Sequence, residues 1–199
     1  MKKITSLLLT LGLLLFITTS VQALIILDFT PTPQTAILGD TVDVDLFISD
    51  LANFATPSLG AFDVDISFDP GVLSFSSLVF GNQLDLFGLG SFTGFDGSTP
   101  GLVDLFEISL DSATDLDTLQ AGSFTLATLT FDTIGLGTSS LWISSYILSD
   151  SLFPPNALVD ATTSIGSVTV NPVPEPTTLF LLVTGMGTLV GFRKKFIRK

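Results

Sequence analysis

Carboxylates are the groups on which acid–base or metal chemistry in this chain must rest. The 199 residues include no His and no Cys. That excludes Ser-His and Cys-His nucleophile pairs, His general bases, disulfides and Cys/His zinc sites within the chain. Serine and threonine are plentiful, but no Lys or His stands between residues 24 and 171 to activate a hydroxyl. Paired carboxylates can hydrolyse glycosides, and Glu107, the only Glu between residues 24 and 171, is where such a reading would begin. Neither Asp-Thr-Gly nor Asp-Ser-Gly, the aspartic-protease signatures, occurs. In "DSATDLDTL", Asp111, Asp115 and Asp117 are close enough in sequence to be candidate calcium ligands, although their spacing is not that of an EF-hand. Trp142 and Tyr146 share a parity in "SSLWISSYIL", which on a strand predicts one face and two rings able to stack on a sugar. Core packing is the commoner fate of such rings.

All seven Lys and Arg lie at the two ends: Lys2 and Lys3, then Arg193, Lys194, Lys195, Arg198 and Lys199. Residues 24–171 hold eighteen of the nineteen acids, every one but Glu175, and no base. Binding to phosphate backbones needs cations, so this composition excludes a nucleic-acid role. It also sets an electrostatic problem. Asp43 and Asp45 point the same way on a strand, as do Asp63, Asp65 and Asp69. Like charges a few ångströms apart repel by roughly 1 kcal/mol per pair at water-like dielectric. Solvent and salt, a divalent cation, or a basic partner would have to offset that repulsion.

Strands must position these groups. "TVDVDLFIS" alternates Val42, Val44, Leu46 and Ile48 against Asp43, Asp45, Phe47 and Ser49. "AFDVDISFD" sets Phe62, Val64, Ile66 and Phe68 against Asp63, Asp65, Ser67 and Asp69. Period two with one apolar and one polar face is a strand covering a core. "GSFTLATLTF" changes phase midway, which predicts a bulge or a strand that changes sheets. Asp69-Pro70-Gly71, Gly39-Asp40 and Pro154-Pro155-Asn156 punctuate the runs as turns. No helical period stands out between the two ends. The expected fold class is all-β, an antiparallel sandwich over residues 24–170.

The ends have their own signatures. Residues 1–23 place Lys2 and Lys3 before an apolar stretch from Leu7 to Ile17 and close on Val21-Gln22-Ala23, the order of zones in a secretory signal peptide. Residues 171–199 carry Pro174-Glu175-Pro176, an apolar run from Thr178 to Phe192, and the basic cluster. Fifteen residues make roughly 22 Å of helix against a hydrocarbon core of roughly 30 Å, so the run predicts a temporary stop in the membrane. Lys and Arg resist translocation, which would hold the tail inside.

This three-part ending resembles the PEP-CTERM sorting signal of Gram-negative bacteria. The resemblance implies that signal peptidase and the secretion machinery handle the N-terminus. It also implies that an exosortase recognises Pro174, Glu175 and Pro176, with Arg193, Lys194, Lys195, Arg198 and Lys199 setting topology during a transient membrane stage. The destination it implies is the cell surface or the medium, near exopolysaccharide or biofilm. Separately, "GDTVDVDLFISD" followed by "LGAFDVDISFDPGVLSF", and later "GSFTLATLTFDTIGLGTSSLWISSYILSD", resemble the two halves of a cohesin-like domain. That implies a jelly-roll sandwich, often of nine strands, that is noncatalytic and binds a partner through one sheet face. The expected role is an exported adhesion or matrix module that contacts exopolysaccharide or another surface protein. The alternatives are a carbohydrate- or dockerin-type binding module and a carboxylate-dependent glycoside hydrolase.

Overall fold

The computed structural model describes residues 24–52, 55–158, 161–174, 181, 182 and 184–186. The signal peptide, Glu175, Pro176 and the basic cluster lie outside the described residues, and the apolar run Thr178–Phe192 does so for the most part. Among the described residues no helix is long and apolar enough to cross a membrane.

Alternation decides which way each residue faces. Strand β3 (Thr41–Ser49) buries Val42, Val44, Leu46 and Ile48, and β4 (Leu59–Ser67) buries Phe62, Val64 and Ile66. The other strands in chain order are β1 (Ile25–Thr30), β2 (Gln34–Ile37), β5 (Leu73–Phe80), β6 (Phe92–Asp96), β7 (Leu102–Ile108), β8 (Phe124–Thr133), β9 (Gly137–Asp150), β10 (Ala161–Thr163) and β11 (Gly166–Asn171). They form a five-stranded sheet, β10-β1-β3-β8-β5, and a six-stranded sheet, β2-β11-β9-β4-β7-β6. The inner faces supply the core, in which Phe131 is fully buried and meets Phe68 and Phe75 edge-on at ring-centroid distances of 5.1 and 6.0 Å. Removing one such ring from water contributes about 2–3 kcal/mol.

The antiparallel expectation is corrected at one seam. β1 pairs with β10 in parallel, and β2 pairs with β11 in parallel. Pro31-Thr32-Pro33 separates β1 from β2, and prolines, which lack an N–H, cannot continue a ladder. The chain therefore leaves one sheet there and joins the other, and β10 and β11 change sheets beside it. Read as two broken strands, this seam closes one side of the sandwich. On the other side the edges β5 and β6 meet through Phe75 and Phe95, 5.9 Å apart.

The phase change in "GSFTLATLTF" is a β-bulge: pairing between β3 and β8 shifts at Leu46/Phe47, so Leu126 and Ala127 are both buried and β8 stays in one sheet. The absence of a helix between the ends is also corrected. Ala113–Leu119 is a seven-residue helix, α1, whose N-cap Ser112 accepts a hydrogen bond from the Asp115 backbone N–H through its Oγ and donates to Asp115 Oδ2 at 2.6 Å. Only Leu116 of the helix is buried, which is why no apolar period announced it.

Candidate functional site

The register of the six-stranded sheet turns scattered residues into rows across its outer face. β4 pairs with β7 on one side and β9 on the other, and β6 pairs with β7 at the edge. One row reads Ser145, Asp65, Asp104, Asp96. The next reads Ile147, Asp63, Phe106, Gly94, and the one beyond reads Ser149, Ala61, Ile108, Phe92. On the other side of the acids lie Trp142, Ser67 and Leu102. Aspartates thus sit directly opposite one another on three neighbouring strands, a destabilising arrangement in a sheet.

Large apolar side chains stand exposed around that row. Phe92 is 61% exposed, Ile147 60% and Trp142 43%. The Phe92 and Phe106 rings lie 5.8 Å apart. Phe106 rests on Gly94, where an added Cβ would come within 2.5 Å of the ring, so the glycine lets the aromatic lie down on the sheet. A shallow hollow of about 130 Å³ opens between Phe106, Ile108 and Ile147, lined also by Ala61, Phe62, Asp63 and Ser149.

Asp104 is the electrostatic centre of the face. Burial pushes its carboxyl up from the ordinary aspartate range, and the charges of Asp63, Asp65 and Asp96 push it further, as does a hydrogen bond with Asp63. Its Oδ1 is buried without a hydrogen-bond partner, the one such side-chain atom among the described residues. The outer face of the five-stranded sheet is different. There Asp43 accepts from Thr130 Oγ1 at 2.7 Å, Asp45 from Thr128 Oγ1 at 2.5 Å, and Asp28 from Ser164 Oγ. Hydroxyls thus satisfy Asp28, Asp43 and Asp45 on one sheet, while Asp65, Asp104 and Asp96 of the other stand against one another, with Asp96 accepting from the Ser98 N–H at 2.8 Å.

The residues singled out in the sequence are dispersed. Trp142 and Tyr146 do not share a face, because the pairing of β4 with β9 shifts at Asp65/Ile66. The bulge puts one extra residue in β9, so Trp142 falls opposite outward Ser67 and Tyr146 opposite inward Val64. Tyr146 packs against the core and donates its hydroxyl to Ala161 O at 2.8 Å, while Trp142 remains on the outer face. Asp111, Asp115 and Asp117 are not brought together. Asp111 accepts from the Leu86 N–H at 2.7 Å, Asp115 serves the cap of α1, and Asp117 accepts from Ser58 Oγ at 2.6 Å. Among the described residues no three carboxylates converge as a metal site. Glu107 points into the sandwich, 1% exposed, and accepts from Ser91 Oγ at 2.5 Å. Burial raises its carboxyl and Asp85 adds to this, against the lowering effect of Ser91. A glycosidic bond has no access to it.

Asp104, Phe106, Ile108, Phe92 and Ile147 were missed as a group. Their signal was present in "LVDLFEISL", where Val103, Leu105 and Glu107 share one parity and Asp104, Phe106 and Ile108 the other. That pattern is apolar on both faces, the mark of a strand covered on both sides.

The fold has solved counterparts. The seventh ScaB type I cohesin of Pseudobacteroides cellulosolvens superposes with a TM-score of 0.61 at 14% identity, covering 76% of this chain and 95% of that one. The sixth cohesin of scaffoldin B from Acetivibrio cellulolyticus, solved in complex with a Cel5 dockerin mutant, gives 0.57 at 18% identity over 74% of this chain and 99% of that one. CaCohA2 of Clostridium acetobutylicum gives 0.55 at 22% identity over 75% and 92%. No protein-family model and no curated protein matches the chain. The likeness is one of fold: a two-sheet β-sandwich like that of cohesin modules.

Proposed function

We propose that this sandwich is a noncatalytic docking module that binds a surface protein through the outer face of β9-β4-β7-β6. The observation that carries this is the concentration, on that one face, of exposed Phe92, Ile108, Ile147 and Trp142 around the row Asp65, Asp104 and Asp96, in which Asp104 Oδ1 is buried without a hydrogen-bond partner. A monomer has no use for large apolar side chains arrayed in register on a solvated sheet, whereas a docking face does. Cohesin neighbours solved with dockerins support a partner of that general kind. The ends supply a route in this reading. A signal peptide exports the domain, Pro174-Glu175-Pro176 is offered to an exosortase, and the basic tail keeps the C-terminus inside until processing. Delivery is then to the cell surface or the exopolysaccharide matrix.

The test uses the immobilised full-length chain and the secreted proteins of the native host. Capture of a defined protein that is lost in Ile147→Asp and kept in Val79→Asp, an exposed residue of the five-stranded sheet, supports the reading. Equal capture by both variants refutes it. Binding of exopolysaccharide instead, lost in Trp142→Ala with the melting temperature unchanged, would favour the carbohydrate-binding alternative.

A further inference from the structure

A second hollow, of about 360 Å³, opens where the edge strands β5 and β6 meet, at the opposite end of β7 from Ile108. β7 is seven residues long, so this hollow lies about 20 Å from Ile108 and outside the docking face. Its size falls within the range of small-molecule sites, roughly 300–1,000 Å³. Phe68, Pro70, Phe75 and Pro100 give it apolar walls, and Ser98 and Thr99 bring hydroxyls.

The walls are fixed before any ligand arrives. The Phe68 N–H donates to Gly101 O at 3.0 Å, and the Ile134 and Gly135 N–H groups donate to Val72 O at 2.9 and 3.2 Å, so the loops around the hollow are tied to one another. Glycines let them approach more closely than side chains would allow. A Cβ on Gly97 would lie 2.4 Å from the Phe75 ring, one on Gly135 would lie 2.0 Å from Gly71 O, and Gly101 has φ +83°. Phe75 is held in turn by edge-on contact with Phe95 and Phe131. A preformed site binds without the cost of ordering its loops.

Charge selects the class of ligand. Asp69 and Asp96 flank the hollow, but each closes its own turn: Asp69 Oδ1 accepts from the Gly71 N–H at 2.8 Å and Asp96 Oδ1 from the Ser98 N–H at 2.8 Å. None of the lining residues is charged, so a cation finds no carboxylate there. An anion is repelled by a domain with eighteen acids and no base. A neutral ligand with both hydroxyls and an apolar face fits what is left. We propose that this hollow binds a neutral sugar ring, its C–H face against Phe75 and the prolines and its hydroxyls on Ser98 and Thr99. A serine or threonine hydroxyl both donates and accepts, so it can pair with a sugar hydroxyl in either sense. The inference goes beyond the docking reading, and with both sites the module would hold a glycan and a surface protein at once.

The experiment titrates the full-length chain, in a polyoxyethylene detergent, with glucose, galactose, mannose and cellobiose, and with glucuronate and glucosamine as charged controls. Calorimetry and saturation-transfer NMR read the binding. At least one neutral sugar should bind roughly tenfold or more tightly than either charged control. Its affinity should fall roughly tenfold in Thr99→Trp, which fills the hollow from an exposed turn, and similarly in Ser98→Ala/Thr99→Val, both with unchanged melting temperature. It should survive Ile147→Asp, so a failure of the docking face leaves this result standing. No binding by any neutral sugar overturns the proposal, as does equal binding of glucuronate or glucosamine. Binding that persists in both hollow variants, or that is lost in Trp142→Ala while Thr99→Trp retains it, places the sugar elsewhere and overturns this site.

Discussion

Replacing Asp104 by Asn should stabilise the domain at neutral pH, an unusual outcome for a substitution at a half-buried strand position. The carboxylate faces Asp65 on one side and Asp96 on the other and lies beside Asp63. At about 5 Å one such pair repels by roughly 0.8 kcal/mol in bulk water and roughly 3 kcal/mol at an effective dielectric of 20. Salt at 0.15 M and the exposure of the row to water both reduce this, leaving an expected gain of about 1 kcal/mol. For a domain of this size that is about 2–4 °C in melting temperature. The sign depends on pH. A carboxyl raised by folding binds its proton more tightly in the native state than in the unfolded one, so its contribution is fully present below the unfolded value and lost as pH rises through the folded value. The advantage of Asp104→Asn should therefore be clear at pH 7 and fade toward about pH 4, where unfolded aspartate begins to protonate. Urea denaturation of the full-length chain at both pH values measures it. A loss of stability at pH 7, or the same gain at both, would refute the idea that the row is held against its own repulsion.

Four further outcomes follow from particular contacts. Gln120→Ala should cost about 2–4 kcal/mol in urea denaturation, because the buried amide accepts from the Leu59 N–H and donates to the Leu59 and Gln83 carbonyls, all of which would lose their partner. Gly81→Ala should cost a similar amount, about 2–4 kcal/mol, since its Cβ would lie 2.0 Å from Thr125 O and backbone would have to move. Glu107→Gln should flatten the fall in stability of the wild type as pH rises through the raised value of Glu107, giving the variant its advantage above the ordinary glutamate range; unchanged pH dependence would contradict the inward placement. Trp142 emission should be solvent-shifted and quenched by acrylamide in the free chain, and a blue, unquenched spectrum would contradict its position on the outer face.

Periodicity made much of this molecule legible in the amino-acid order. The faces of β3 and β4 follow from alternation alone, because a strand has only two sides and water divides apolar from acidic residues between them. The phase change in β8 was readable for the same reason, since a bulge is a break in period two. The equivalent break in β9 was not, because Ser144 and Ser145 are neutral to burial and leave no trace in the pattern; Trp142 and Tyr146 therefore seemed to share a face until pairing with β4 separated them. The helix α1 went unseen because a single buried residue, Leu116, carries its apolar side.

What composition determined outright was the absence of His- and Cys-based chemistry and an all-acid body between basic ends. Those follow from residue types and need no coordinates. The line of Asp65, Asp104 and Asp96 and the apolar ring around it belong to the tertiary structure alone. Their partners lie up to 84 positions apart along the chain, and only the register among β9, β4, β7 and β6 sets them opposite one another. A one-residue slip would send every one of those side chains to the other face.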